Sequence, residues 1–144
     1  MNAEQIELIQ QSFQQLRRSA DTVALLFYEH LFTEKPALKQ LFHSDMEEQG
    51  RKLMNLLGVV VVGLPQLERL TPMLRELGAR HARYGVQTAD YDTVANALLW
   101  TLEHSLPGEY TPAVQAAWTE AYRVLARLMQ DGAREALAAH GLPA

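Results

Sequence analysis

The sequence predicts an all-α domain of six to eight helices. Three observations carry that prediction. Apolar residues recur every three or four positions in one segment after another, the spacing of a buried helix face. The six prolines and eight glycines fall mostly where those segments begin or end. Outside one run of four valines, nothing suggests a strand, and no segment alternates apolar and polar residues with period two.

Taken in chain order, residues 3–16 carry Ile6, Ile9, Phe13 and Leu16 on one stripe behind an Asn2 cap. A second helix starts near Ser19, with Asp21 favourably placed in its first turn. It runs through VALLFYEHLF to Thr33, and Pro36 opens a short helical turn, PALKQLF. Ser44 or Asp45 caps the next helix, which runs to about Val62. Its end, GVVVVG, resembles a buried strand locally. The stripe Gln49, Leu53, Leu56/Leu57, Val60 and the lack of a partner strand favour helix. Thr71–Pro72 is expected to start a fourth helix bearing Leu74, Leu77, His81 and Tyr84, which Gly85 ends. ADYDTVANALLWTLEHSL forms the fifth, stopped by Pro107–Gly108. Thr111–Pro112 starts a long last helix through Val114, Trp118, Tyr122, Leu125 and Met129, to about Ala139.

With 144 residues, 48% hydrophobic and 21% charged, the chain is expected to form one domain, residues 1–144, with a full core. The absence of cysteine excludes disulfides, thiolate metal sites, iron–sulfur clusters and C-x-x-C-H haem attachment. A net charge of −4 without a basic block argues against nucleic-acid binding. The N-terminus is acidic and amphipathic, unlike a signal peptide. The longest apolar stretch, 53–64, is broken by Asn55 and falls short of the ~20 residues that a bilayer demands. A soluble cytoplasmic protein without membrane association is expected.

Several chemistries are missing: there is no G-x-S-x-G, no phosphate-cradling glycine loop and no H-E-x-x-H. His43–Ser44 and His104–Ser105 fall at expected helix ends and read as capping groups. Glu47–Glu48 suits the first turn of a helix. Of the five histidines, His140 and His104 are expected in solvent, His30 at the edge of an apolar stripe and His43 at a loop junction. His81 differs, because it shares the buried face of Leu74 and Leu77. No second His, Asp or Glu lies three or four residues away, so a protein-only metal site is disfavoured. Two readings of His81 stay open: a satisfied core histidine, or the single axial donor to a haem iron.

The runs LLFYEHLF, EEQGRKLMNLLGVVV, LRELGARHARYGV and AAWTEAYRVLARLM, in that order within residues 3–130, resemble the bacterial single-domain globins and the globin half of flavohaemoglobins. The resemblance implies a three-over-three globin fold around a pocket for haem b. His81 matches the proximal histidine, and Phe42 the phenylalanine that stacks on the porphyrin. Gln49 and Tyr28 match the polar distal residues, and Leu53 the apolar residue over the ligand. Ala24 and Gly50 match the small residues of a close helix crossing. Lys52 matches a position that reaches a haem propionate, while Leu77, Val86, Tyr91 and Val94 match the proximal wall. The implied activity is reversible binding of O2, NO and CO, O2 transport, and NO dioxygenation fed by a separate reductase. A haem-based gas or redox sensor acting through a partner is the alternative.

One departure stands out. Flavohaemoglobin-type globins couple a proximal tyrosine and glutamate to the axial histidine. Tyr91 fits the tyrosine, but the glutamate position falls on Ala133, and Glu135 is displaced by about 200° of helix. A hydrogen bond from His81 to a carbonyl near Leu77 is expected instead. No flavin- or nicotinamide-binding segment is present in the sequence.

Overall fold

A computed structural model describes residues 1–139; His140 lies outside the described residues. Six α-helices and two 3-10 turns follow one another: α1 (Ala3–Arg17), α2 (Ala20–Glu34), a turn at Pro36–Leu41, α3 (Met46–Gly63), a turn at Leu64–Gln66, α4 (Leu67–Tyr84), α5 (Thr88–Ser105) and α6 (Pro112–Ala139). There is no strand among the described residues.

The helix starts follow from their capping chemistry. The Asn2 side chain accepts from the Gln5 N–H at 2.8 Å, and the Gln5 side chain accepts from the Asn2 N–H at 3.2 Å, so two otherwise orphaned donors are satisfied reciprocally. Asp45 accepts from the Glu47 N–H at 3.3 Å, and Thr111 from the Val114 N–H at 3.2 Å. At the other end of α4, Gly85 adopts φ 102° and donates back into the helix, a left-handed cap that side chains with a Cβ resist.

Two boundaries need correction or settlement. The valine run is helical: Val60 and Val61 are buried, while Val59 and Val62 are 50% and 72% exposed. Successive residues 100° apart cannot all face one core. The fourth helix begins at Leu67, not at Thr71–Pro72, and Pro72 lies inside it. Pro72, its sixth residue, is exposed, and water can satisfy the Glu68 carbonyl that the missing N–H leaves free. Thr71 therefore does not cap; its hydroxyl donates to the Leu67 carbonyl at 3.3 Å. By length and apolarity the run Met46–Tyr84 could cross a bilayer, yet Met54, Val60, Val61, Leu64 and Leu74 on it are core residues.

Packing brings the helices together at points where side chains are small. A Cβ on Gly50 would lie 3.0 Å from the Ala24 Cβ, so α2 and α3 cross with almost no spacer, as the resemblance implies. The tighter crossing was not foreseen. A Cβ on Gly78 would lie 1.8 Å from the Met129 carbonyl oxygen, and one on Gly132 would lie 1.9 Å from that of Arg75. Here α4 and α6 meet backbone to backbone. The main core gathers Ile9, Phe13, Leu16, Leu74, Leu102 and Trp118. A smaller cluster holds Phe27, Tyr28, Leu31, Leu38 and Ala97, and Leu98 packs against both.

Candidate functional site

The expected site residues lie on α2, α3, α4, the start of α5 and the segments beside them, and form two groups, one around Tyr28 and one at His81. Tyr28, on α2, is 6% exposed and packs in the smaller cluster with Phe42, Leu53 and Val94. Its ring meets Phe42 edge-on at 5.4 Å and stacks on Phe32 at 5.9 Å. Burial pushes its hydroxyl pKa up to about 12, and the Gln49 carboxamide, approaching from α3, offsets part of that rise. The hydroxyl is therefore neutral and a proton donor across the physiological range. Gln49 is half-buried and Leu53, one turn on, is half-buried beside it.

On α4, the His81 Nδ1–H donates to the Leu77 carbonyl at 2.8 Å, the hydrogen bond expected above. That bond assigns the proton to Nδ1 and leaves the Nε2 lone pair free. Burial lowers the pKa of the ring; the bond to Leu77 opposes this and the Arg80 charge adds to it. His81 is thus held as a neutral imidazole with one unused donor atom. Leu77, Val86 and Tyr91 belong with the main core. Val94 packs with the Tyr28 cluster, as does Ala97 three residues further along α5.

Tyr91 bears on the departure noted in the sequence. Its backbone carbonyl accepts from the Tyr122 hydroxyl at 2.7 Å, but its own hydroxyl is buried without a partner. The residue that would have supplied a carboxylate is Ala133, and Glu135 pairs with Arg75 instead. Asp90, next to Tyr91 and 3% exposed, accepts from the Gln87 N–H at 2.8 Å and pairs with Lys35. That pair ties the end of α2, the Tyr28 helix, to the start of α5.

Lys52 is exposed and lies 3.7 Å from Glu48 one turn earlier. His43 is exposed. Ser105 is no capping group, since its Oγ is buried without a partner. His104 donates from Nδ1 to the Trp100 carbonyl at 2.8 Å and, rather than only facing solvent, stacks on the indole at 4.0 Å. His30 covers the opposite indole face at 4.2 Å and pairs with Glu34. No group of three His, Asp or Glu that could hold a metal exists among the described residues. A groove of about 640 Å³ along α4 and α6 contains none of the expected site residues; its Arg75, Glu135, Arg83 and Glu76 are paired with one another.

Comparison with known proteins agrees with the fold. A family model described as Globin matches residues 25–129, more than half of the chain. An anaerobic nitrite reductase of Oryza sativa subsp. indica is 29% identical over 140 residues, which is 92% of this chain and 95% of that protein. A flavohemoprotein of Vibrio cholerae is 27% identical over 134 residues, 91% of this chain and 34% of its own length, so the chain spans about a third of that relative. Among solved structures, an engineered carbene transferase variant of a candidate nitric oxide dioxygenase from Rhodothermus marinus aligns with a TM-score of 0.88 and 25% identity, over 98% of this chain and 99% of that one. A bacterial globin from Campylobacter jejuni aligns at 0.82 with 23% identity, over 93% and 97%, a likeness of fold.

Proposed function

The chain belongs to the globin family, and on that premise we propose that it holds haem b through His81 and binds diatomic gases beside Tyr28 and Gln49. The observation that carries the reading is the state of His81: a half-buried, neutral imidazole with Nδ1 committed to Leu77 and Nε2 unused. The donor set fits the group. A porphyrin brings four of its iron's ligands with it, so one protein nitrogen suffices where no cluster of ligating side chains exists among the described residues.

When bound, haem b supplies reversible gas binding at its iron and, with O2 and NO together, conversion of NO to nitrate. The chain's own residues do the rest. The Leu77 carbonyl fixes the tautomer and orientation of His81. Phe42, in aromatic contact with Tyr28, offers a flat apolar face for stacking. Leu53 packs with Tyr28 and makes that side apolar, which excludes water and strengthens any hydrogen bond formed there. Into that dry region Tyr28 brings a hydroxyl that stays protonated, and Gln49 a carboxamide. Each neutral donor is worth about 1 kcal/mol to a polarised ligand, which favours slow release of O2.

NO dioxygenation is proposed as the activity that this pocket supports. It is favoured by the flavohemoprotein relative and by the solved neighbour from Rhodothermus marinus. Electrons are then taken from a separate reductase. Visible spectra of the purified protein in ferric, ferrous, CO-treated and O2-exposed forms test the reading. A haem spectrum with a long-lived oxygenated form is expected. Failure to take up haem, or haem uptake without reversible O2 binding, contradicts it.

A further inference from the structure

We infer that α6 sets the position of His81 through the backbone crossing at Gly78 and Gly132, making Gly132 a positioning residue for the axial imidazole. The inference rests on the reading of His81 as the axial donor. Its basis is where α4 is seated. That helix packs chiefly on α6 and only slightly on α3. At the seat, no side chain stands between the two helices. A Cβ on Gly132 would come within 1.9 Å of the Arg75 carbonyl oxygen, and one on Gly78 within 1.8 Å of that of Met129.

The seat and the site are one turn apart. Gly78 follows Leu77, whose carbonyl holds the His81 ring, and precedes His81 by three residues. Beyond His81, α4 ends at Gly85, so little helix remains to anchor it from the other side. Arg75 closes the same crossing at the surface, pairing with Glu135 and standing 4.0 Å from Asp131 of α6. A helix moves as a rod, because its hydrogen bonds run along its own length. Spacing between helices is set by the side chains at their contact. A methyl group on Gly132 meets a carbonyl that has no rotamer to change, so the helices must part by about 1 Å, and His81 moves with α4.

The test is resonance Raman spectroscopy of the ferrous, ligand-free holoprotein, read at the Fe–His stretching band, together with the rate of haem transfer to an acceptor apoprotein. Gly132→Ala is expected to displace the band and to speed haem transfer about tenfold. Arg75→Gln, which keeps the glycines but removes the surface tie, is expected to displace it less, and it decides the matter if Gly132→Ala does not fold. Trp118→Phe, which breaks the hydrogen bond between α6 and Ser12 of α1 and keeps both glycines of the seat, is expected to leave the band in place. An unshifted band in every folded variant of Gly132 and Arg75, or an equal shift in Trp118→Phe, overturns the inference. The absence of any Fe–His band in the unmutated protein overturns the axial reading of His81 instead.

Discussion

The imidazole of His81 and the carbonyl of Leu77 lie 2.8 Å apart across one turn of α4. The acceptor is a neutral amide, and Tyr91 nearby in sequence order keeps a buried hydroxyl with no partner. With Ala133 where a carboxylate is expected, no carboxylate among the described residues is hydrogen-bonded to the Nδ1 proton. On the proposed axial reading, an imidazole in that state is a moderate electron donor, which favours reversible ligand binding over cleavage of an oxygen–oxygen bond.

The polar pair Tyr28 and Gln49 is expected to control ligand escape. Tyr28→Phe should speed O2 dissociation about tenfold, the factor that ~1.4 kcal/mol implies. Gln49→Leu should act in the same direction, and the double variant should show less than the sum of the two effects because both donors address one ligand. Stopped-flow O2 release measures all three. Unchanged rates in both single variants would mean that the hydroxyl and the amide do not face the ligand.

The pH dependence follows from burial. His81 has its pKa lowered from 6.5, so the unfolded chain takes up that proton at a higher pH than the folded one. The contribution of His81 to stability is present above about pH 6.5 and is lost as the pH falls through the folded value. Urea unfolding of the haem-free protein between about pH 7 and pH 5 should show a loss of stability that is smaller in His81→Gln. Tyr28 has the reverse sign: with its pKa raised to about 12, it stays a donor. O2 release governed by Tyr28 should therefore be flat up to about pH 10. A loss of stability in His81→Gln equal to that of the unmutated protein would count against the buried neutral ring.

A purely structural prediction concerns Ser12, whose hydroxyl accepts from the Trp118 Nε1–H at 2.8 Å in a buried setting. Ser12→Ala leaves the indole donor unpaired, which costs about 1–3 kcal/mol. Denaturant unfolding should register that loss while the ferrous-CO spectrum stays unchanged. Full retention of stability would mean that water replaces the hydroxyl.

How much of this was legible beforehand depended on whether the signal was local. The helices were, because each carries its own apolar period and end signals. Pro72 misled, since proline favours the first turn of a helix yet here sits one turn further in, on an exposed face of α4. His81 stood out through its spacing from Leu74 and Leu77. Tyr28, Gln49 and Phe42 were visible only through resemblance, because singly each reads as a core or surface residue. The crossing of Gly78 with Gly132 was invisible: a glycine within a helix looks like a mild defect until the second backbone is seen against it. His30 and His104 around Trp100 escaped notice for the same reason, as only one of the two imidazoles lies on the helix of the indole.

If the proposed dioxygenation is correct, the O2-loaded protein mixed with one equivalent of NO should give a fast single turnover to ferric haem and nitrate. Sustained turnover should appear only on addition of a reductase and should rise with its concentration. Survival of the oxygenated form in the presence of stoichiometric NO would exclude the activity and leave gas binding alone.

The central claim is that His81 is the one protein donor to the haem iron, and His81→Ala tests it most directly. The rate of haem loss and the ferrous-CO spectrum should be measured with and without added imidazole. We expect a weakly held haem and an altered spectrum in the variant, with both restored by imidazole occupying the vacated volume. A haem-loss rate and spectrum unchanged by the substitution would contradict the assignment.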